Sequence, residues 1–312
     1  MKKLIPFLLI AFGFSFNQVD AQVLIDHTDT FMGNNSSFSI DFTRIGNAGN
    51  AADTTGYGAV GYDYNIGTYV ISQSQIDAAG IPGVTAGHWS GLQPATDVTW
   101  YQAAAFVNFL NTSTGHQAAY NLTYTGGSYT MALWSSGQAG YDPSNPFRNS
   151  LATYFLPSEN EWYKAAYYNA ASSSYNLFPT GNSVPIPVAS GTNAETAVYN
   201  SVSSQPAAVN QAGGASAYGT MGQGGNVWQW EESNYFGVNN DPTALRGYRG
   251  GGWDSAAGSL QAASSRIGDY PDRYGKGIGF RIASAVPEPS TYALLGLGVI
   301  GMLMVMRRKK TD

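Results

Sequence analysis

The segment Gly224-Gly225-Asn226-Val227-Trp228-Gln229-Trp230 says most about the architecture of this chain of 312 residues. Two shorter segments follow it, Arg249-Gly250-Gly251-Gly252-Trp253 and Gly279-Phe280-Arg281. We expect their tryptophans to pack in the core. The arginines are expected to tie loops together, because a buried guanidinium offers five donors to carbonyls and carboxylates. The chain contains no cysteine, so no disulfide stabilises it.

Upstream of these segments the sequence predicts few regular elements. Ser158 and Glu161 form a capping-box pattern that starts a helix. Apolar residues at helical spacing predict a second helix over 97–111. Alternation over 60–71 predicts a pair of short strands, followed by a short helix that Ser72 and Gln75 cap. Residues 22–44 are expected to be irregular, with one strand around 38–42.

Taken in order, the segments at 156–162, 224–230, 249–253 and 279–281 resemble the formylglycine-generating enzyme (sulfatase-modifying factor) family. The resemblance covers residues 45–283. It implies a C-type-lectin-like α+β fold, loop-rich, with few helices and short antiparallel strands. A shared fold does not by itself carry the family's chemistry.

The resemblance also indicates where the oxidase members of the family do their chemistry. Those enzymes bind copper through a cysteine pair just after the Arg-Gly-Gly-x-Trp segment, where this chain has Ser255 and Leu260. Thiolates select Cu(I), a hydroxyl is a poor substitute, and leucine cannot bind metal. We therefore predict no bound copper and no catalytic residue at these positions.

Family members also carry structural calcium, and the resemblance implies a site around the Gly-Asn-Val-Trp turn. The family usually places an acidic residue or Asn at one position there and Glu at the other, where this chain has Gly222 and Gln229. Calcium prefers several oxygens, carboxylates above all, so the site should be weakened. The carbonyls of Gly225 and Val227 with the nearby Glu231 remain weak calcium candidates.

Surface aromatic residues are the candidates for ligand binding, because Trp and Tyr rings stack on sugar faces while their polar tips form hydrogen bonds. Trp89, Trp134, Tyr270 and Tyr274 fall in predicted loops. Paired acids, Glu159 with Glu161 and Glu231 with Glu232, raise glycoside hydrolysis as an alternative. Adjacent or helix-capping acids favour a structural interpretation.

Both ends of the chain carry export signals. Residues 1–21 have the charged, apolar and small-residue regions of a signal peptide. A linker over 284–291 contains Pro287, Glu288 and Pro289, a short apolar anchor follows over 292–306, and a basic tail occupies 307–312. The anchor would span roughly 22 Å as a helix, less than the roughly 30 Å of a bilayer core. Together these parts resemble the PEP-CTERM sorting signal of Gram-negative bacteria. The resemblance implies an exosortase-type protease as partner and delivery to the outer surface or matrix.

Charge then narrows the class of partner. The whole chain has a net charge of −5. The leader contributes +1 and residues 287–312 contribute +2, so residues 22–286 carry a net charge of −8. An acidic domain of this kind argues against nucleic acid, which requires a basic face. We predict an exported, non-catalytic binding or scaffold protein of the cell surface or extracellular polysaccharide matrix. The alternatives are an enzyme with altered, cysteine-independent chemistry, and an envelope protein whose tail stays in the inner membrane.

Overall fold

The computed structural model describes residues 22–264, 266–275 and 277–286. The signal peptide over 1–21, the sorting residues Pro287, Glu288 and Pro289, the apolar anchor and the basic tail lie outside these residues. Within the described ranges, no helix has the length and apolar character needed to cross a membrane.

Three α-helices and fifteen short strands are present in the described part of the chain. The helices are α1 (Gln73–Ala79), α2 (Trp100–Ser113) and α3 (Glu159–Tyr167). The strands are β1 (His27–Met32), β2 (Ser37–Ile45), β3 (Tyr64–Gly67), β4 (Asn121–Thr125), β5 (Ser128–Ala132), β6 (Tyr154–Phe155), β7 (Tyr168–Asn169), β8 (Ser174–Tyr175), β9 (Ile186–Pro187), β10 (Thr196–Ala197), β11 (Trp228–Asn234), β12 (Arg246–Arg249), β13 (Ile267–Asp269), β14 (Ile278–Phe280) and β15 (Ala283–Ala285). The predicted loop-rich α+β class with short strands is confirmed.

Two sheets organise these elements. The first has the antiparallel order β1-β2-β3-β15-β6, so a strand from the C-terminal part lies between strands from the N-terminal half. The second has the order β13-β12-β11-β14. Aromatic contacts from α2 join them, since the Phe106 ring lies 5.8 Å from that of Phe38 and 5.6 Å from that of Phe280. The main apolar core therefore lies around α2.

The second sheet explains why three separated sequence segments occur together. Trp228 and Trp230 begin β11, Arg249 ends β12, and Phe280 ends β14. Trp230 pairs with Phe280 in the parallel β11–β14 register. The Gly-Asn-Val-Trp, Arg-Gly-Gly-x-Trp and Gly-Phe-Arg segments are thus neighbouring strands of one sheet.

Capping residues set the helix starts. In α3 the Ser158 amide donates to the Glu161 carboxylate at 2.6 Å and the Glu161 amide donates to the Ser158 hydroxyl at 3.3 Å, which confirms the predicted box. The Ser72 amide likewise donates to the Gln75 side chain at 2.8 Å. Helix α2 begins at Trp100, later than predicted, because Thr99 is its N-cap.

Two local predictions were wrong. Residues 22–44 are not mainly irregular, because β1 pairs with β2 along its whole length, from His27 with Phe42 to Met32 with Ser37. Residues 60–71 contain one strand, β3, instead of a pair. Both edges of β3 are already occupied by distant strands, β2 and β15, so no local hairpin forms. Pairing partners far along the chain are not visible in local alternation.

Candidate functional site

The two positions that correspond to the oxidase cysteines meet beside Gly251. A Cβ added to Gly251 would lie 2.9 Å from Leu260 Cδ1 and 3.5 Å from Ser255 Cβ. Leu260 is fully buried against Phe178 and Tyr199. The Ser255 hydroxyl accepts a hydrogen bond from the Gly252 amide at 2.8 Å. A hydrocarbon side chain and an already engaged hydroxyl do not fit a copper ion.

Next to these positions, the glycine-asparagine turn joins three loops. Gly225 has a φ of +85° and lies so close to the Val198 carbonyl that a Cβ would approach it to 2.4 Å. The Asn226 side chain accepts from the Ala207 amide at 2.8 Å and donates to its carbonyl at 3.3 Å. The Asn226 carbonyl accepts from the Trp253 amide at 2.9 Å. This part of the family signature is therefore structural in this chain.

Below the turn, Gln229 and Arg281 form a buried polar centre. The Gln229 amide oxygen accepts from Trp162 Nε1 at 2.8 Å and from Arg281 Nε at 2.9 Å. The Gln229 amide nitrogen donates to the Gly222 carbonyl at 2.6 Å. The other donors of Arg281 go to the backbone carbonyls of Gly67, Thr68 and Met221.

No carboxylate within the described ranges makes an ion pair with Arg281. Burial lowers its pKa to about 9. The carbonyl of Gly222, one of the two positions where the family's calcium ligands are missing, already accepts a hydrogen bond from Gln229. N–H groups of Gln229 and Arg281 therefore donate hydrogen bonds to carbonyl oxygens at the place where the resemblance implies a bound cation.

The three calcium candidates have different surroundings. Gly225 and Val227 lie in the buried turn, whereas the Glu231 carboxylate is 3.1 Å from Arg266 Nε and 3.8 Å from Arg249 Nε. No group of three or more His, Asp or Glu side chains in the described ranges is arranged to hold a metal ion. Calcium at Gly225, Val227 and Glu231 stays a prediction.

The adjacent acids of β11 belong to two separate ion clusters. Glu231 and Glu159 share Arg249 and Arg266, with Arg266 Nε 2.5 Å from Glu159 Oε2. Burial and the neighbouring Glu159 charge raise the pKa of Glu231, against the opposing effect of the two arginines. The first cluster balances two acids with two guanidinium groups.

Glu232 and Glu161 meet on the other side, around Arg148. Arg148 Nε lies 3.4 Å from Glu232 Oε2, and Arg148 Nη1 lies 3.8 Å from Glu161 Oε1. Tyr120 donates its hydroxyl to Glu232 at 2.8 Å, and Asn145 donates its amide at 2.6 Å. The paired acids therefore attach α3 to β11 from two sides, as the structural interpretation predicted, and do not face one another across a hydrolase cleft.

The four aromatic ligand candidates occupy three loops, since Tyr270 and Tyr274 share the loop between β13 and β14. No ring contact joins any two of the four in the described residues. Trp89 packs edge-on against Trp253 at 5.6 Å. The Trp134 indole donates to the Ala119 carbonyl at 2.9 Å. Tyr270 and Tyr274 are 54% and 67% exposed. The two tyrosines alone present most of their surface to solvent.

Two adjoining pockets form a two-lobed groove that none of the sequence-predicted site residues lines. One lobe, of about 420 Å³, is lined by β2, by residues 69–72 and by α1. The other, of about 670 Å³, is lined by residues 22–23, 192–195 and 210. Tyr69 and Asn210 line both lobes. Sequence reasoning missed this site, because its walls come from stretches far apart in the chain that only the fold brings together.

This combination defines the protein as a member of the formylglycine-generating class of folds whose oxidase positions carry no thiol. Residues 19–286 match the family described as the Sulfatase-modifying factor enzyme 1-like domain, and the chain belongs to that family. Residues 285–309 match the PEP-CTERM protein-sorting motif, which implies export and sorting to the cell envelope through an exosortase-type system.

Similar proteins agree with this assignment. A stretch of 76 residues is 37% identical to the inactive C-alpha-formylglycine-generating enzyme 2 of Bos taurus and to that of Mus musculus. It spans 23% of this chain and 24% of each relative. Among solved structures, Treponema denticola variable protein 1 aligns with a TM-score of 0.58 at 21% identity, over 82% of this chain and 98% of that one. CarF aligns with a TM-score of 0.57 at 19% identity, over 79% of this chain and 98% of that one. Both structures support the fold alone.

Proposed function

We propose that this protein is an exported, non-catalytic sulfatase-modifying-factor-like domain that acts as a binding or scaffold protein at the cell surface or in the extracellular polysaccharide matrix. The observation that carries the proposal is the replacement of the oxidase cysteine positions by Ser255 and the fully buried Leu260. Cysteine-dependent oxidation needs a thiolate, and the chain has none to supply from elsewhere. The similarity to a relative whose name calls it inactive also supports a non-catalytic role.

The sorting motif supports the proposed location. In the proposal, an exosortase-type protease recognises Pro287, Glu288 and Pro289 while the apolar segment over 292–306 holds the chain transiently in the inner membrane. Removal of the tail then releases the acidic domain to the outer surface or the matrix. Retention of an uncut tail would instead leave an envelope protein anchored in the inner membrane.

A binding role suits the composition of the domain. Residues 22–286 carry −8, which disfavours anionic partners and leaves neutral polymers, sugars or cations as the compatible classes. Exposed Tyr270 and Tyr274 add aromatic surface for such contacts. Extracellular polysaccharide is therefore the partner we favour, and no tightly bound cofactor is needed.

Activity and partner can be tested on one preparation of the full chain. We expect no conversion of a cysteine-containing sulfatase peptide in the presence of copper, and retention on at least one immobilised bacterial exopolysaccharide. Formylglycine formation by the wild-type chain would overturn the non-catalytic proposal. If the chain passes through every polysaccharide column unretained, the polysaccharide role is lost.

A further inference from the structure

We infer that the two-lobed groove around Tyr69 is a binding site for a neutral oligosaccharide. The inference rests on the proposed binding function and specifies its site and ligand class. The two lobes of the groove have volumes of about 420 and about 670 Å³, in the range of small-ligand sites. Because the lobes share Tyr69 and Asn210, a ligand longer than one sugar ring would pass this pair of side chains.

Charge determines which saccharides fit. The residues that line the two lobes include the acids Asp41 and Glu195, and no Lys, Arg or His of the described chain is among them. A uronate, sulfate or phosphate group would find no cationic side chain among these lining residues and would be repelled by the net charge of −8 on residues 22–286. Sugars without ionised groups avoid that repulsion, so the electrostatics of the groove select a neutral ligand.

The polar lining matches hydroxyl-rich ligands. The exposed Ser36 and Ser37 contribute hydroxyls to the smaller lobe, and Thr192 and Asn193 contribute polar side chains to the larger one. Hydroxyl and amide groups both donate and accept, as sugar hydroxyls do. A lining of this kind exchanges hydrogen bonds with water for hydrogen bonds with a saccharide at little net cost.

Tyr69 supplies the apolar face that a pyranose ring needs. Its ring packs in part against a buried cluster that contains Val70, and its hydroxyl has no hydrogen-bond partner among the described residues. The preceding backbone is fixed, because the Thr68 carbonyl accepts from Arg281 at 3.0 Å and from the Met221 amide at 2.9 Å. An aromatic ring on a rigid backbone loses little conformational entropy when a sugar stacks on it.

Asn210 is held in place by its neighbours as well. It lies in the 3-10 turn Val209–Gln211, and the Val209 amide donates to the Leu92 carbonyl at 2.8 Å. Leu92 itself lines the smaller lobe and is 54% exposed, so it offers an apolar edge beside the amide. Both side chains at the junction of the lobes are therefore presented by anchored backbone.

The experiment is isothermal titration calorimetry of the full chain in mild detergent. The probes are neutral tetrasaccharides of glucose, galactose, mannose and N-acetylglucosamine, with oligogalacturonate as the anionic probe. We expect binding of at least one neutral probe, little change in its affinity between 50 and 500 mM salt, and no binding of oligogalacturonate. Tyr69→Ala should weaken binding by about tenfold or more, and Tyr69→Phe by about threefold.

Tyr141→Ala is the matched control, because Tyr141 is a partly buried loop tyrosine that lines neither lobe. It should bind within about twofold of wild type. Circular dichroism melting of each variant checks folding, and Asn210→Ala tests the groove independently if Tyr69→Ala fails to fold. If neutral-sugar binding is unchanged in both Tyr69→Phe and Asn210→Ala, or if it is lost in Tyr274→Ala, the groove is not the binding site. The proposed binding function would still stand in either case. Absence of binding to every neutral probe overturns the groove as a neutral-sugar site, while retention on exopolysaccharide columns tests the proposed function separately.

Discussion

At the scale of single residues, replacement of Arg281 should lower the free energy of unfolding strongly. Its guanidinium donates to Gln229 and to three backbone carbonyls in a fully buried place. Arg281→Met would remove all four of these buried hydrogen bonds, although Gln229 would keep Trp162 and the Thr68 carbonyl would keep the Met221 amide. We expect a loss of about 3–5 kcal/mol in the free energy of unfolding. Urea denaturation measures it. Arg44→Met is the control, because Arg44 is exposed and its ion-pair partner among the described residues is Asp63 at the surface, so its loss should be below about 1 kcal/mol.

Lys164 should give the protein a characteristic pH dependence. It is fully buried, its ammonium donates to the Asn47 carbonyl at 3.0 Å, and burial lowers its pKa to about 8. The folded pKa lies below the unfolded value of about 10.4, so the folded state binds this proton less well. The contribution of Lys164 to stability is therefore greatest above the unfolded pKa and falls as pH drops through 8.

A comparison with Lys164→Met isolates this effect from the tyrosines that titrate in the same range. The stability of wild type minus that of the variant should rise by about 1–3 kcal/mol between pH 7 and pH 10. Chemical denaturation at four pH values measures the difference. A difference that stays constant over this range would show that Lys164 keeps an ordinary pKa in the folded protein.

At the scale of elements, the start of α3 can be tested by one hydroxyl. Ser158→Ala removes the acceptor for the Glu161 amide, and we expect a loss of about 1 kcal/mol. Thermal melting followed by circular dichroism measures it. Ser150→Ala, at an exposed serine outside any helix, should change stability by less than about 0.5 kcal/mol. Equal losses in the two variants would mean that the cap contributes nothing specific.

Capping boxes were also the elements that sequence reasoning predicted best, because their hydrogen bonds join residues three apart. Ser158 with Glu161 could be read directly from the chain. The β1–β2 pairing could not be predicted in this way, because the inward face of β1 carries His27 and Asp29 beside a single apolar residue, Phe31, and so shows no apolar alternation. The groove was missed for a related reason, since Tyr69 was assigned to a strand and its partners Asn210 and Glu195 lie more than a hundred residues away.

At the scale of the whole molecule, β15 decides how much of the chain is needed for folding. It lies between β3 and β6 in the first sheet, and the Ala285 amide donates to the Thr153 carbonyl at 2.9 Å. A chain ending at residue 286 should unfold in one cooperative transition, because it keeps every described strand. A chain ending at residue 282 loses β15 and should not fold stably. Limited proteolysis and circular dichroism compare the two, and a stable shorter chain would show that the sheet closes without β15.

The place of β15 also sets an order of events during synthesis and export. Strands β1 to β3 and β6 are made long before residues 283–285, so the first sheet lacks the strand between β3 and β6 until those residues arrive. Contacts this distant in sequence form slowly, because the chain must close long loops before the pairing repays them. The sorting residues Pro287, Glu288 and Pro289 follow the closing strand directly. The proposed cleavage at these residues would therefore take place within a few residues of the last strand to join the sheet, which would couple processing in time to the final step of folding.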